Sequence, residues 1–198
     1  MLNNLRLADY LIAHVPIDPD IIRQIVDSQK TAPVSKGEYL LMQGEICRHS
    51  FFVEKGLLRY YSIDSKGKEH ILQFAPENWF VVDRESAYFG KPSQYFIQAL
   101  EDSTVVMLDE QFISELGASY PAFTAFNNKL LHNHIRHLQN RVNQLLSFTA
   151  GERYLQFIEL YPDVLLRVPQ TMVASYLGIT PESLSRVRKE LSQKHSAQ

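Results

Sequence analysis

The stretch QTMVASYLGITPESLSRVRKEL, residues 170–191, predicts two short helices joined by a tight turn. In its first half, Val173, Ala174 and Leu177 lie at helical spacing and form one apolar stripe. Gly178 follows them, and glycine can adopt the positive φ that a sharp turn requires. Ala174 is small at a point where two steeply crossing helices must approach closely. The stretch therefore predicts a helix-turn-helix.

The second helix of this motif has clear start and packing signals. Thr180 is a good N-cap, and Pro181 suits the first helical position because its missing N–H would have no helical partner there. Leu184, Val187 and Leu191 give the helix an apolar inner face. Helix-turn-helix proteins place this second helix in the major groove of DNA.

The outward face of the second helix suits contact with DNA. Arg186 can bind guanine O6 and N7 with two hydrogen bonds, and Glu182 can accept one from cytosine N4. Hydroxyls and lysine suit phosphate contacts that position the helix. The candidate DNA-binding residues are Thr180, Glu182, Ser183, Ser185, Arg186, Arg188 and Lys189.

A purely structural explanation of the same residues also stays open. Glu182 and Arg186 stand four residues apart, and such a pair stabilises any exposed helix by about 0.2–0.5 kcal/mol. Glu182 in the first turn also suits the positive end of the helix dipole. A small residue, a glycine and an N-cap join two helices in many folds, so the rest of the chain must decide.

The run Glu182-Ser-Leu-Ser-Arg186 resembles the E-x-x-S-R recognition-helix motif of the Crp/Fnr family of bacterial transcription regulators. The preceding VASYLGIT resembles that family's first helix and turn. The resemblance implies that Glu182 and Arg186 contact base edges, and that Ser185 contributes to half-site preference. It also implies a homodimer that binds a palindromic site in double-stranded DNA through residues 181–192, with RNA polymerase as a further candidate partner.

Composition limits the other classes of protein. The chain has 198 residues, 45% of them hydrophobic, which is enough for one or two domains with cores. It contains no run of 18 apolar residues and no basic leader with a cleavage site, so we expect no membrane partner and a cytoplasmic location. Cys47 is the single cysteine, which excludes an internal disulfide framework or an all-cysteine metal cluster.

The charge of the chain is −2, so a DNA-binding protein of this composition must concentrate positive charge locally. From Thr180 onward the sequence carries a charge of +2, which a dimer would double. The residues behind this figure are Arg186, Arg188, Lys189 and Lys194 against Glu182 and Glu190.

The first part of the chain predicts a β-rich domain behind a helical start. Residues 5–28 have helical spacing with a break near Pro16–Pro19. From Lys30 to Leu108, short β-branched and aromatic runs separated by glycine turns favour a sandwich or barrel. KGEYLLMQGE and FFVEKGLLRYY resemble strand pairs of the cyclic-nucleotide-binding β-roll. The predicted fold class is α+β: an N-terminal double-stranded β-helix (jelly roll), a long dimerisation helix and a C-terminal winged-helix-like helix-turn-helix with a reduced wing.

The β-roll resemblance implies a phosphate-binding cassette, in which a G-E pair and an R-S-A run hold a cyclic nucleotide. This chain has Val82-Asp83 and Ser93-Gln94-Tyr95 at those positions, so the arginine that neutralises the phosphate is absent. Arg84 is near in sequence, but no spacing argument places it on the same phosphate. Because burying an unpaired anion is costly, we expect no cyclic-nucleotide control. The candidate effector pocket is Val82, Asp83, Arg84, Ser93 and Gln94.

Six aromatic residues around the cassette favour core packing, with an apolar effector pocket as the alternative; they are Trp79, Phe80, Tyr88, Phe89, Tyr95 and Phe96. No cofactor is predicted, and an unknown small-molecule effector stays open.

Between Ser119 and Phe148 the apolar spacing alternates four and three, which is a heptad seam with Asn128 at the preceding a position. The candidate dimer-interface residues are Leu131, Ile135, Leu138, Val142 and Leu145. We favour a parallel dimer helix, as in the family, over packing of this stripe on the sheet of its own subunit. His132, His134 and His137 do not share one helix face, so we predict no metal site.

Beyond the seam, we predict a helix over Thr149–Tyr161 and a short β run over Val164–Val168 that pairs as a minimal wing. Family members often carry a β-hairpin wing after the recognition helix. This sequence instead continues into the polar SQKHSAQ, so we expect those wing contacts to be missing or supplied elsewhere.

Motifs of catalysis are absent from the sequence: it has no P-loop, G-x-S-x-G, H-E-x-x-H or dinucleotide fingerprint. We predict a non-enzymatic regulator with a sensor over residues 1–118, a dimerisation helix over 119–148 and a DNA-binding domain over 149–198. Two alternatives stay open. One is a cyclic-nucleotide-responsive regulator, and the other is an effector-binding or interaction module that no longer binds DNA.

Overall fold

A computed structural model of the chain describes residues 5–196, with side chains as far as Gln193. The helices are α1 Leu7–His14, α2 Pro19–Asp27, α3 Arg84–Phe89, α4 Glu110–Ser119, α5 Pro121–Ser147, α6 Ala150–Leu160, α7 Val164–Arg167, α8 Gln170–Leu177 and α9 Pro181–Ser196. The strands are β1 Lys30–Val34, β2 Tyr39–Leu41, β3 His49–Lys55, β4 Leu58–Ile63, β5 Glu69–Ala75, β6 Phe80–Val81, β7 Phe96–Ala99 and β8 Ser103–Asp109. The α+β class is as predicted.

The strands form two antiparallel sheets, in the orders β1-β8-β3-β6 and β2-β7-β4-β5. In the first sheet Val53 lies opposite Val105. Phe51, Val53 and Val105 of this sheet share one core cluster with Leu58 and Ile97 of the other. All of them are at most 1% exposed, so the two sheets bury their inner faces against each other as in a jelly roll.

The outer face of the first sheet is covered by helices. Phe52 and Val106 alternate with the inward residues of β3 and β8, so their side chains point to the opposite face. They pack in a second cluster with Leu7 and Leu11 of α1 and Phe123 of α5. Burial on both faces explains why the β3 sequence HSFFVEK is almost continuously apolar in its middle.

The helical start and its break are confirmed. Helix α1 ends at His14, and α2 begins at Pro19 behind Asp18, whose carboxylate accepts a hydrogen bond from Asp20 N at 2.8 Å. The carboxylate and proline together favour the start of α2, because one satisfies a free N–H and the other has none.

The described chain forms two compact units. One takes in the described residues up to Ser62 together with Leu72–Leu131, and the other takes in Ile63–Ile71 together with the described residues from His132 onward. In the second unit, the Ser175 hydroxyl of α8 donates to Glu69 O at 2.9 Å and accepts from Ile71 N at 3.1 Å. These bonds satisfy backbone groups of β5 and tie its first residues to the helix-turn-helix.

The long helix predicted around residues 119–148 is present as α5, which ends just before a capping box. Thr149 Oγ1 accepts from Glu152 N at 3.3 Å, and Glu152 Oε2 accepts from Thr149 N at 2.8 Å, which starts α6. None of the described helices, α5 included, is both long and apolar enough to cross a membrane.

The prediction of a β run over Val164–Val168 is wrong. These residues form the helical turn α7, closed by a bond from Val168 N to Val164 O at 3.1 Å. A short apolar run has too few residues for its spacing to distinguish strand from helix, and its leucines favour helix. The polar residues after Leu191 continue α9 as far as Ser196, and Ala197 and Gln198 lie outside the described residues.

Candidate functional site

The turn between α8 and α9 has the predicted chemistry. Gly178 adopts a left-handed conformation with φ of 67°, and its N–H donates to Ser175 O at 3.1 Å. Ile179 N donates to Ala174 O at 3.0 Å, so the last carbonyls of α8 are satisfied as in common helix C-caps. Thr180 Oγ1 then accepts from Ser183 N at 3.2 Å and caps the start of α9.

The inner faces of both helices are buried as the sequence predicted. In α8, Val173, Ala174 and Leu177 are at most 1% exposed, and in α9, Leu184 is fully buried. Val187 and Leu191 are partly buried on the same side of α9. Packing of Leu184 fixes the rotation of α9 about its own axis, because only one face of the helix can then be buried.

The opposite face of α9 is open to solvent. All of the candidate DNA-binding residues are exposed except Ser183, which is partly buried: Thr180, Glu182, Ser185, Arg186, Arg188 and Lys189. The structure therefore leaves these side chains accessible, with Arg188 at the flank nearest to Leu184, and their contact with DNA stays a prediction.

Of the two structural roles suggested for Glu182, the interaction with the helix start is formed and the pair with Arg186 is not. Hydrogen bonds from the Glu182 backbone N–H and then from Thr180 lower the pKa of the Glu182 carboxyl, so this side chain turns back onto the helix start. Among the described residues, Arg186 forms no ion pair with Glu182. The guanidinium of Arg186 is thus exposed and not neutralised by the carboxylate one turn away.

The heptad seam of α5 is exposed in the single chain. Ile135, Leu138, Val142 and Leu145 are 51%, 48%, 55% and 43% exposed, and Leu131 is partly buried. The dimer interface and its alternative, packing on the sheet of the same subunit, both stay predictions. A run of apolar side chains at heptad spacing on a helix surface is the pattern of a coiled-coil interface.

The predicted effector pocket is brought together around Asp83. This side chain is 3% exposed, and its Oδ1 accepts from Glu85 N at 3.1 Å and Ser86 N at 3.3 Å at the start of α3. The Ser93 hydroxyl, which is also buried, lies 2.7 Å from Asp83 Oδ2 and donates to it. Val82 lies beside them and is partly buried, whereas Gln94 is exposed.

Arg84 is not directed to this carboxylate. Its Nη1 lies 3.3 Å from Glu110 Oε1 at the start of α4, and both side chains are about one third exposed, at 35%. In this structure Arg84 thus pairs with Glu110 and not with the carboxylate of the cassette.

The residues present do not fit a cyclic phosphate. Two backbone N–H groups and a hydroxyl are the donors that such a site would offer, and here the Asp83 carboxylate already accepts all three. A phosphate would have to displace this bound anion or lie beside it without a counter-charge. The cassette thus holds a carboxylate of its own chain at its donor groups.

Sequence reasoning missed three residues of this cluster, which are Ser86, Cys47 and Tyr60. The Ser86 hydroxyl donates to Lys91 O at 2.6 Å and accepts from Cys47 N at 2.8 Å, so it joins α3 to the strand side of the cassette. Burial raises the pKa of the Cys47 thiol and of the nearby Tyr60 hydroxyl. Both groups are therefore neutral at pH 7, and the carboxylate has no cationic neighbour among them.

The aromatic residues near the cassette divide into two groups. Phe80 and Trp79 pack against the two core clusters, and Tyr95 and Phe96 lie against tyrosines of β4, with ring centroids 4.9 and 5.1 Å apart. Four of the six thus fill space in the fold, as favoured. Tyr88 and Phe89 instead are exposed on α3.

Known proteins resemble the chain in both sequence and structure. The cyclic nucleotide-binding domain family matches residues 32–120. The fumarate and nitrate reduction regulatory protein of Vibrio cholerae is 26% identical over 179 residues, covering 85% of this chain and 70% of the relative. The transcriptional activator protein Anr of Pseudomonas aeruginosa is 26% identical over 190 residues, covering 89% and 75%. The structure of FixK2 from Bradyrhizobium japonicum matches with a TM-score of 0.72 at 19% identity, covering 84% of this chain and 86% of that one.

A cyclic-nucleotide-binding-like domain followed by a helix-turn-helix defines a class of regulator rather than an enzyme. The matched domain family and the named regulators support a transcription regulator of Crp/Fnr type, in agreement with the sequence motifs of α8 and α9.

The Asp83 cluster generates a stability prediction. Asp83→Ala should lower the free energy of unfolding by about 2 kcal/mol or more, because it removes a helix cap and leaves buried donors without a partner. Asp18→Ala is the matched control, since Asp18 is an exposed cap of α2 with one bond, and it should cost about 1 kcal/mol or less. Urea denaturation measures both. Equal losses would mean that the bonds of Asp83 are not formed in solution.

Proposed function

We propose that this regulator binds double-stranded DNA as a homodimer, with α9 of each subunit in the major groove of one half-site. The observation that carries the proposal is the outward face of α9, where Arg186, Arg188 and Lys189 are exposed on a helix held by the buried Leu184. Two such helices related by a two-fold axis favour a palindromic site with half-sites about one helical turn, roughly 34 Å, apart.

The exposed seam of α5 supports the homodimer. Leu138 and Val142 leave about half of their surface in water in the single chain, and a second copy would cover them at low cost because the helix is already formed. Dimerisation would also place two recognition helices in one particle and double the local positive charge. Both effects favour binding to a charged duplex.

We further propose that the regulator acts without a cyclic nucleotide. The support is the Asp83 carboxylate, which accepts the hydrogen bonds that a cyclic phosphate would need. Any effector would be a different small molecule, and it would act by binding better to one arrangement of the dimer than to another. RNA polymerase at the promoter is the further partner, and the cytoplasm, where the DNA lies, is the location.

Binding of DNA by α9 is tested with Arg186→Ala. A binding site is first selected from a pool of random duplexes, and affinity for it is then measured by fluorescence anisotropy across a salt titration. The wild-type protein should show a steep negative dependence of log affinity on log salt. Arg186→Ala should weaken binding by about 1–3 kcal/mol and relax discrimination at one base pair.

Lys129→Ala is the matched control for this experiment, since it removes one exposed charge from α5 and should leave affinity nearly unchanged. A salt slope near zero for the wild-type protein would favour the interaction module that no longer binds DNA. Equal losses for Arg186→Ala on selected and scrambled duplexes would mean that Arg186 contacts phosphate only.

Dimerisation through α5 is tested with Leu138→Glu. A charge in the middle of the seam should convert the dimer to a monomer and weaken DNA binding, because a carboxylate cannot be buried unpaired in an apolar interface. Gln139→Glu adds the same charge one residue away, outside the seam, and should stay dimeric. Sedimentation equilibrium measures both variants. A wild-type monomer, or a dimeric Leu138→Glu, would contradict the proposal.

The cyclic-nucleotide alternative is tested by calorimetry with cyclic AMP. We expect no heat of binding at micromolar concentrations of cyclic AMP, because Asp83 occupies the donors of the cassette. Cyclic GMP serves as the second ligand of the same shape and charge. Micromolar binding of either one would overturn our interpretation of Val82, Asp83 and Ser93.

A further inference from the structure

The second unit contains a cavity that has no role in the proposed DNA binding. Its volume is about 350 Å³, which is within the range of small-ligand pockets. Helices α5, α6 and α8 contribute its walls. The lining residues are His137, Asn140, Arg141, Gln144, Gln156, Phe157, Glu159, Leu160 and Tyr176.

Arg141 is the cationic group of this cavity. Its guanidinium carbon lies 3.9 Å from the centre of the Tyr176 ring, and its Nη2 donates to Tyr176 O. The aromatic face and the carbonyl together hold the side chain against α8, so the charge is presented from a fixed position. Such a guanidinium is a preorganised partner for an anion.

None of the ion pairs between described residues involves Arg141. Among the described residues, Arg141 Nη1 is buried and has no hydrogen-bond partner. Burial, and then Arg153, lowers the pKa of Arg141, and the groups that raise it are Tyr176 and Tyr161 rather than a carboxylate. A guanidinium stays protonated even so, and a buried charged donor without a partner is unfavourable. Across the described part of the chain, no acceptor, Glu159 included, pairs with Arg141 Nη1.

The other walls indicate what kind of anion would fit. Asn140, Gln144 and Gln156 offer amide groups that can donate and accept, while Phe157 offers a buried aromatic surface. Glu159 lies exposed among the lining residues and accepts from Gln156 Nε2 at 3.3 Å, so it would repel a multiply charged ligand. The walls thus suit a molecule with one anionic head and a small planar or apolar body.

We propose that this cavity binds a small organic anion, with its carboxylate or phosphate oxygens on Arg141 and its body against Phe157. Arg141 lines the cavity, so an anion bound there would lie beside its guanidinium. The bound anion would join α5 and α6 to Tyr176, in the helix that packs against α9. It would thereby act as an effector within the DNA-binding unit. The site stands whether or not α9 binds DNA.

The test uses benzoate and phenyl phosphate, which share a planar body and differ in the anionic head, with neutral benzamide as the ligand control. Titration of the isotope-labelled full chain followed by NMR should give saturable shifts of the Gln144 and Gln156 side-chain amides with at least one of the anions. Benzamide should give none. Benzoate should bind more tightly than phenyl phosphate, because Glu159 would repel the second charge of the phosphate. Tighter binding of phenyl phosphate would overturn the role given to Glu159 and identify the head group as phosphate.

Arg141→Met should weaken binding of the tighter of the two anions about tenfold or more, because it removes the charge and keeps a similar length. Arg136→Met removes an exposed arginine from the same helix outside the cavity and should bind as the wild type does. Gln144→Leu is a second variant that leaves the bond to Tyr176 intact, and it should also weaken binding. Binding of neither anion, equal binding of benzamide, or unchanged affinity in both Arg141→Met and Gln144→Leu would overturn the proposal.

Discussion

The burial of Leu184 against α8 is the constraint on which the functional surface depends. A helix of 16 residues with charged groups around most of its circumference has little reason to adopt one rotation, and this apolar contact supplies it. Gly178 makes the contact geometrically accessible, because its left-handed backbone turns the chain directly after Leu177. Once both are in place, the guanidinium of Arg186 has to point away from the protein. The outward chemistry of α9 is thus a consequence of packing on its inward side.

The β-roll domain matches the cyclic nucleotide-binding family, and the residues of its cassette form bonds to one another. In the cassette of this chain, Asp83 is the N-cap of α3, and its carboxylate accepts hydrogen bonds from the N–H groups of Glu85 and Ser86. The Ser93 hydroxyl completes a small, closed network with no cation in it. A network in which every donor has a partner within the protein stabilises one conformation by itself. A set of unpaired donors needs a bound ligand for the same stabilisation. The β-roll here is stabilised by its own side chains.

Much of this architecture could be predicted from sequence, because the deciding signals are local. The turn at Gly178, the cap at Thr180 and the heptad spacing of α5 each depend on residues a few positions apart. The failure at Val164–Val168 has the same origin, since a run of five residues, four of them apolar, is too short for its spacing to distinguish α7 from a strand. Contacts between residues that are far apart in the sequence could not be predicted in this way. The spacing of residues in the sequence predicts neither the hydrogen bond from Ser93 to Asp83 nor the cation–π contact of Arg141 with Tyr176.

The bonds of Ser175 to the backbone of Glu69 and Ile71 mean that the DNA-binding unit is not continuous in sequence. Its chain enters at Ile63, leaves after Ile71 and returns at His132, so three peptide connections cross its boundary. In an excised C-terminal fragment, the Ser175 hydroxyl would lose its hydrogen bonds to the backbone of Glu69 and Ile71. Helix α8 would also lose its contact with β5. Transplanting this helix-turn-helix onto another protein would therefore require the segment Ile63–Ile71 to be grafted with it. An exchange of the C-terminal segment alone between related proteins would break the same hydrogen bonds.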